Sequence, residues 1–319
     1  MLAKQEYAYL TLVVLVVLLC NILPLSLCSF TNCDKGFFKI GNMTDCHPWL
    51  TCKEIRNVSI GDLIGYGAVK QVYKAHWGNE LVSFNAINNI EYLNDFRDGL
   101  ENLKILSPSN FIVQLVGSCL EEHVFLTEYY PLGDILKALS SLQEMLSLKD
   151  KFLFCIRYVE VLVFLHGSPA GKRVMCDSST LNKTLEQYLV TASLNLVLND
   201  ADALPEVGKE GIVCGHKELY GSFIAPEQKW PFSKEEFEEK KMIPYDEKSD
   251  IWKISDVCNY FLGNSEESKA FKYHLYPIHL KCRCKTPNLR PTASEVLEFY
   301  NEVFYTYFLV TKKFTKEDL

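Results

Sequence analysis

No charged residue occurs from Tyr7 to Cys33, and within that stretch Leu10–Leu27 is almost entirely Leu, Val, Ile and Cys. The lack of a polar face argues against a buried soluble helix. Two readings remain: an uncleaved membrane anchor, for which about 20 apolar residues suffice, or a cleaved signal peptide, whose apolar core is usually roughly 7–15 residues. Length favours the anchor, while Pro24 with Ser26, Cys28 and Ser29 keeps the cleaved form open. The flanking charges (Lys4, Glu6, Asp34, Lys35) barely discriminate orientation. Low-complexity tracts and repeats of fixed period are also missing. A basic excess is missing too: the net charge of −7 argues against a general nucleic-acid binder. Finally, no lysine lies between Lys74 and Lys104, so the third expected strand carries no ammonium group.

What is present reads as a globular chain of one large domain or two small ones, with 319 residues and 48% apolar content. Cys33, Cys46 and Cys52 cluster after the apolar run without the paired short spacings of a zinc site, so they read as a disulfide-stapled collar between membrane and domain, its pairing left open. Asn42-Met43-Thr44 and Asn57-Val58-Ser59 are glycosylation acceptor triplets, meaningful if the segment is luminal. From there, β-rich stretches Ile60–Ile64, Val69–Ala75 and Leu81–Ile87 precede a helix over Tyr92–Leu106, whose Leu93, Phe96, Leu100, Leu103 and Leu106 recur at helical spacing. Val113–Gly117 and Val124–Thr127 add two strands. After Glu128-Tyr129-Tyr130-Pro131-Leu132-Gly133 the chain turns helical, over Ile135–Leu146, Lys149–His166, Glu247–Leu262 and Ala293–Tyr307. The fold class is α+β: a small β-rich lobe and a larger helical lobe, with a cleft expected between them.

The chemistry is carried by short motifs. Gly65-x-Gly67 lies between two strands, which speaks against a dinucleotide turn and suits a hairpin lying over phosphates; an ordinary β-turn is the plain alternative. Alternation along the next strand puts Lys70 and Val72 on one face, with Lys74 farther along it. Five positions separate Asp177 from Asn182, the interval of a kinase catalytic loop, although Met175 and Cys176 stand where that loop has His and Arg. The apolar Leu194–Leu198 runs into Asp200, where kinases place a metal-binding aspartate; Ala201 and Asp202 depart from the usual Phe and Gly, and loop capping is the alternative role for both acids. The interval from Asn182 to Asp200 is a few residues longer than usual. Ala225-Pro226-Glu227, Ser249-Asp250-Ile251-Trp252 and Arg290-Pro291-Thr292 then follow in the order of a kinase helical lobe.

Together these motifs resemble the protein kinase fold over roughly Val58–Tyr307, and the Gly-x-Gly-x-x-Lys-x-Val loop is similar to that of the with-no-lysine kinases. The anchor, the collar, Gly67-Ala68-Val69-Lys70, Val174-Met175-Cys176-Asp177-Ser178, Asn199-Asp200-Ala201-Asp202, Cys214-Gly215-His216-Lys217-Glu218-Leu219 and Pro244-Tyr245-Asp246-Glu247-Lys248 resemble the protein O-mannose kinase family of atypical glycan kinases. That resemblance implies ATP with Mg²⁺ or Mn²⁺, and transfer of the γ-phosphate to the 6-hydroxyl of O-linked mannose in the GalNAc–GlcNAc–mannose core glycan of dystroglycan. It implies Asp177 and Lys70 as catalytic residues, and Gly65, Gly67, Lys70, Val72, Asn182 and Asp200 around the nucleotide, with Asp200 and Asn182 on the metal. It implies a buried Glu227–Arg290 ion pair. The vacated lysine position falls on Asn85 or Asn88, according to register, and the acidic partner of Lys70 among Asp95, Asp98 and Glu101 stays open. Without the loop arginine, activation-loop phosphorylation is not expected as a switch, and Asn182-Lys183-Thr184 is expected to carry no glycan.

The expected organisation is a cytoplasmic tail (1–6), a signal anchor (7–29), a luminal collar (30–57), a β-rich lobe (58–130) and a helical lobe (131–319), in a type II protein of the endoplasmic reticulum. The alternative class is an inactive, membrane-anchored pseudokinase that binds glycan or protein. A receptor whose kinase-like domain faces the cytosol is the third reading.

Overall fold

The computed structural model describes residues 33–310 apart from 143, 216 and 233. Among them no helix is long and apolar enough to cross a membrane; the expected anchor at 7–29 lies outside the described residues. The chain divides into two compact units, one running to Gly133 and taking back Leu189–Asp202, the other made of Asp134–Tyr188 and Ala203–Leu319.

The first unit opens with the ribbon β1 (Phe37–Phe38) and β2 (His47–Pro48) and the single turn α1 (Cys52–Ile55). β3 (Ser59–Tyr66), β4 (Lys70–Trp77), β5 (Glu80–Ile87), β6 (Leu115–Cys119) and β7 (Val124–Glu128) form an antiparallel sheet in the order β3-β4-β5-β7-β6, with α2 (Leu93–Leu106) inserted after β5. β3 is one edge and is exposed along most of its length. The other edge is covered. Leu50 bridges Gly117 in parallel, exchanging bonds with Val116 and Ser118 at 2.9 and 3.1 Å. A β-carbon on Gly117 would stand 2.5 Å from the Leu50 carbonyl oxygen, so only glycine admits this approach. The Cys52–Cys119 disulfide clamps the same edge, and Cys33–Cys46 closes the ribbon. Phe38, Ile40, Leu50 and Ile55 share a core with Ala75, Val82, Val116 and Leu126. The expected collar is therefore part of the sheet's core and the cover of an edge that would otherwise present unpaired backbone.

The second unit contains α3 (Ile135–Leu142), α4 (Leu148–His166), α5 (Leu181–Glu186), α6 (Lys248–Leu262), α7 (Glu266–Cys282) and α8 (Ala293–Phe304). α4 is buried on most sides; Phe152 packs its ring against Phe271, Tyr300 and Phe308, and Cys155 is bonded to Cys258 of α6. Arg290 forks onto Glu227 through two hydrogen bonds of 2.5 and 2.8 Å, the expected pair, with the arginine fully buried. α7 was not foreseen: Pro277 interrupts its pattern, but Ser265 caps its start and Phe271, Leu275, Ile278 and Cys282 form its buried stripe. The stretch that the first unit takes back holds β9 (Leu196–Leu198), which pairs with β8 (Tyr188–Val190) in a small two-stranded sheet and leads directly to Asp200.

Candidate active site

Lys70 is the first residue of β4, just past the hairpin that Gly65 and Gly67 open. The hairpin is fastened by backbone and side chain: the Gly67 N–H donates to the Lys70 carbonyl at 2.9 Å, and Asn88 Nδ2 to the Gly67 carbonyl at 2.7 Å. Gly65 pairs with Val72 across the strands, where a β-carbon would touch the valine. Directly across from Lys70 on β5 stands Ile87, and Asn85 stands opposite Val72. Asn85 is buried and donates to the Ser83 carbonyl and to Thr127 Oγ1, while Asn88 serves the hairpin. Neither asparagine takes the place beside Lys70; an isoleucine does.

The Lys70 ammonium is ion-paired to Asp200 Oδ1 and reaches Asp202 Oδ1 at 3.4 Å, all three side chains being largely withdrawn from water. Burial alone depresses the lysine, but Asp200 and Asp202 more than reverse it and hold it above its usual range. Burial pushes the Asp202 carboxyl up to about 7; Lys70 opposes that rise and the neighbouring Asp200 adds to it. Asp95, Asp98 and Glu101, expected to offer the lysine its acid, are all exposed, and Glu101 pairs with Lys104 instead. The reason is their phase on α2: the buried stripe is Phe96, Gly99, Leu100, Leu103, with the three acids outside it. Gly99 faces Asp202, where a β-carbon would lie 3.1–3.2 Å from the aspartate's Cβ, Cα and N, and Asn102 Nδ2 donates to the Ala201 carbonyl at 2.8 Å. A glycine and an amide on the helix thus seat a second aspartate of the Asp200 loop as the lysine's partner. The Asp-x-Asp spelling of that loop was the signal in the sequence. Lys74, by contrast, lies over the Tyr129 ring at 5.3 Å.

In the second unit, Asp177 is about a third exposed and paired with Lys183 of α5. Gln187 Nε2 donates to its carbonyl oxygen at 3.2 Å and to its Oδ2 at 3.3 Å. Asn182 lies on the exposed first turn of α5, capped by Thr180, and its side chain takes part in no hydrogen bond among the described residues. The amide that reaches Asp177 is therefore Gln187, five positions later, and the helical turn between the two explains the long interval before Asp200. Thr184 of the Asn182 triplet is fully buried, its hydroxyl donating to the Thr180 carbonyl at 2.9 Å. Cys176, next to Asp177, is disulfide-bonded to Cys214, so a covalent tie holds the segment that an arginine would hold electrostatically.

A largely buried lysine beside two carboxylates in the first unit, and in the second a partly exposed aspartate steadied by an amide and a second lysine, are the kinds of group that phosphoryl transfer draws on: a cation able to stabilise charge and a carboxylate able to accept a proton. The two carboxylates also offer the hard oxygen donors that Mg²⁺ or Mn²⁺ takes, so the residues fit such an ion. No protein-family model matches the chain. It is 42% identical over 290 residues to a protein O-mannose kinase of Homo sapiens, covering 86% of this chain and 81% of that protein. To the protein O-mannose kinase of Gallus gallus it is 42% identical over 281 residues (85% and 79%), and to that of Xenopus laevis 40% over 288 residues (85% and 80%).

Proposed function

The chain belongs to the protein O-mannose kinase family, a phosphotransferase with an alcohol acceptor, and we propose that it transfers the γ-phosphoryl group of ATP to the 6-hydroxyl of O-linked mannose in the GalNAc–GlcNAc–mannose core glycan of dystroglycan. The observation that carries the reading is the ion pair of Lys70 with Asp200. Lys70 supplies the ammonium for the phosphates that the third strand lacks, the Gly65–Gly67 hairpin lies over them, and Val72 covers the base. Asp200 and Asp202 would hold the Mg²⁺ or Mn²⁺ ion, which when bound offsets the charge of the phosphate oxygens. Asp177 accepts the proton of the mannose hydroxyl as its oxygen bonds to the γ-phosphorus, and the bond to the β-phosphate breaks to leave ADP. Gln187 and Lys183 fix the carboxylate for that step.

Incubating full-length protein with ATP, Mg²⁺ or Mn²⁺ and the core trisaccharide tests this directly. Transfer that disappears in Asp177→Asn and Asp200→Ala, with both variants folded, is the expected result. ATP binding without transfer by the wild type would favour the scaffold reading.

The compartment proposed is the lumen of the endoplasmic reticulum, with the chain anchored as a type II protein by residues 7–29. Four disulfides support it, since such bonds persist in oxidising compartments, and Asn42 and Asn57 are both exposed. A glycosidase-sensitive mass shift lost in Asn42→Gln/Asn57→Gln is expected; an unshifted protein in cells would place the domain in the cytosol.

A further inference from the structure

Lys253, in the middle of α6, is fully buried, and no step above uses it. Desolvating an ammonium costs several kcal/mol even when it is paired, and a dry side chain of similar length would fill the same space without that cost. Stability therefore does not explain a lysine here; its contacts do. Nζ donates to Asp250 Oδ1 at 3.3 Å and to Ser178 Oγ at 2.5 Å. Asp250 has other partners, because its second oxygen accepts the Met175 N–H at 3.2 Å and lies 3.3 Å from His166 Nε2. The contact that depends on Lys253 is Ser178. That serine follows Asp177, is itself buried, and its hydroxyl donates to the Met175 carbonyl at 2.5 Å. Both backbone groups of Met175 are thus governed from α6, the N–H by Asp250 and the carbonyl through a serine that Lys253 grips. Asp177 sits on the short stretch between these two clamped residues.

We propose that Lys253 is a positioning residue for the proposed reaction, setting through Ser178 where the Asp177 carboxylate stands. The inference rests on Asp177 taking the hydroxyl proton, as argued above. Lys253 adds from a neighbouring helix a second anchorage, beside the Cys176–Cys214 disulfide, to a segment where Met175 and Cys176 stand in place of His and Arg.

The test uses full-length Lys253→Met, Ser178→Ala and their double variant, with kcat, KM for ATP, melting temperature and Asp177→Asn measured alongside. Each single change is expected to lower kcat on the order of 10²-fold, the scale of a misplacement by about 1 Å, with KM for ATP unchanged. Lys253→Met also lowers the melting temperature, because it takes a cation from the buried Asp250, so kcat is read where every variant is folded. The double variant is expected to be no slower than the slower single one, because both changes delete the same link. Losses that multiply in the double, or a kcat that falls only together with a matching rise of KM for ATP, overturn the proposal. If Lys253→Met does not fold, Ser178→Ala decides alone: a wild-type kcat there rules the link out. Asp177→Asn separates the two levels. A fully active Asp177→Asn defeats the proton-acceptor role of Asp177, whereas an inactive one beside fully active Ser178→Ala and Lys253→Met defeats only the role of Lys253.

Discussion

The two groups of candidate site residues solve the loss of expected side chains by different physics. In the first unit, on the proposed reading, the missing lysine is replaced by moving charge: an ammonium enters from the neighbouring strand and meets two carboxylates largely withdrawn from water, and the protonation of the group is strongly perturbed. In the second unit the missing His and Arg are replaced by scaffolding. A disulfide, a buried lysine and a glutamine hold Asp177, which itself remains accessible. Electrostatics carries the first group and geometry the second, and the two respond to different perturbations.

The sharpest contrast is expected from Asp177→Asn, which should lower kcat by roughly 10²–10⁴-fold, the range for a lost general base, while ATP still raises the melting temperature. A variant that loses ATP binding as well would blur the division. Next come the disulfides. Cys52–Cys119 spans 67 residues and Cys176–Cys214 spans 38, and removing either by paired serines should cost about 4 kcal/mol on the chain-entropy model. Only the second pair should also slow catalysis in the protein that stays folded, since Cys176 adjoins Asp177; chemical denaturation with kcat measured in parallel checks both.

A smaller effect concerns pH. Asp202 has a folded pKa near 7, above its unfolded value near 3.8, so between those values the folded state binds the extra proton. Its contribution is complete below pH 4 and is lost as pH rises through 7, with a slope of at most about 1.4 kcal/mol per unit. Asp202→Asn should flatten the pH dependence of unfolding over that window, and the same slope in both proteins would refute the assignment. Smallest of all, Asn182→Ala should leave kcat unchanged, whereas Gln187→Ala should lower it; the reverse order would restore Asn182 to the site.

Much of this was legible in the residues. The strands around Lys70 and the long helices declared themselves through alternation and helical spacing, and Glu227–Arg290 followed from ordered motifs. Two of the misread parts share a cause: they depend on which residues meet across long separations. The partner of Lys70 lies 132 positions away, and the phase of α2, with Gly99 rather than an acid facing inward, decides it. Gln187 was hidden because the helical turn of α5 lengthens a loop whose motif is written for a shorter one. The disulfides expected of the collar are present, but one joins it to β6, and its packing into the sheet was hidden because its partners, on β6 and β7, lie far along the chain.

The central claim is that Lys70 carries the charge missing from the third strand. ATP–Mg²⁺ binding and phosphotransfer by full-length Lys70→Ala and Lys74→Ala test it directly. Loss of a charge-assisted contact of roughly 1.5–3 kcal/mol predicts ATP affinity about 10–100-fold weaker and no measurable transfer in Lys70→Ala, with Lys74→Ala close to wild type. Transfer at the wild-type rate by Lys70→Ala would contradict the account.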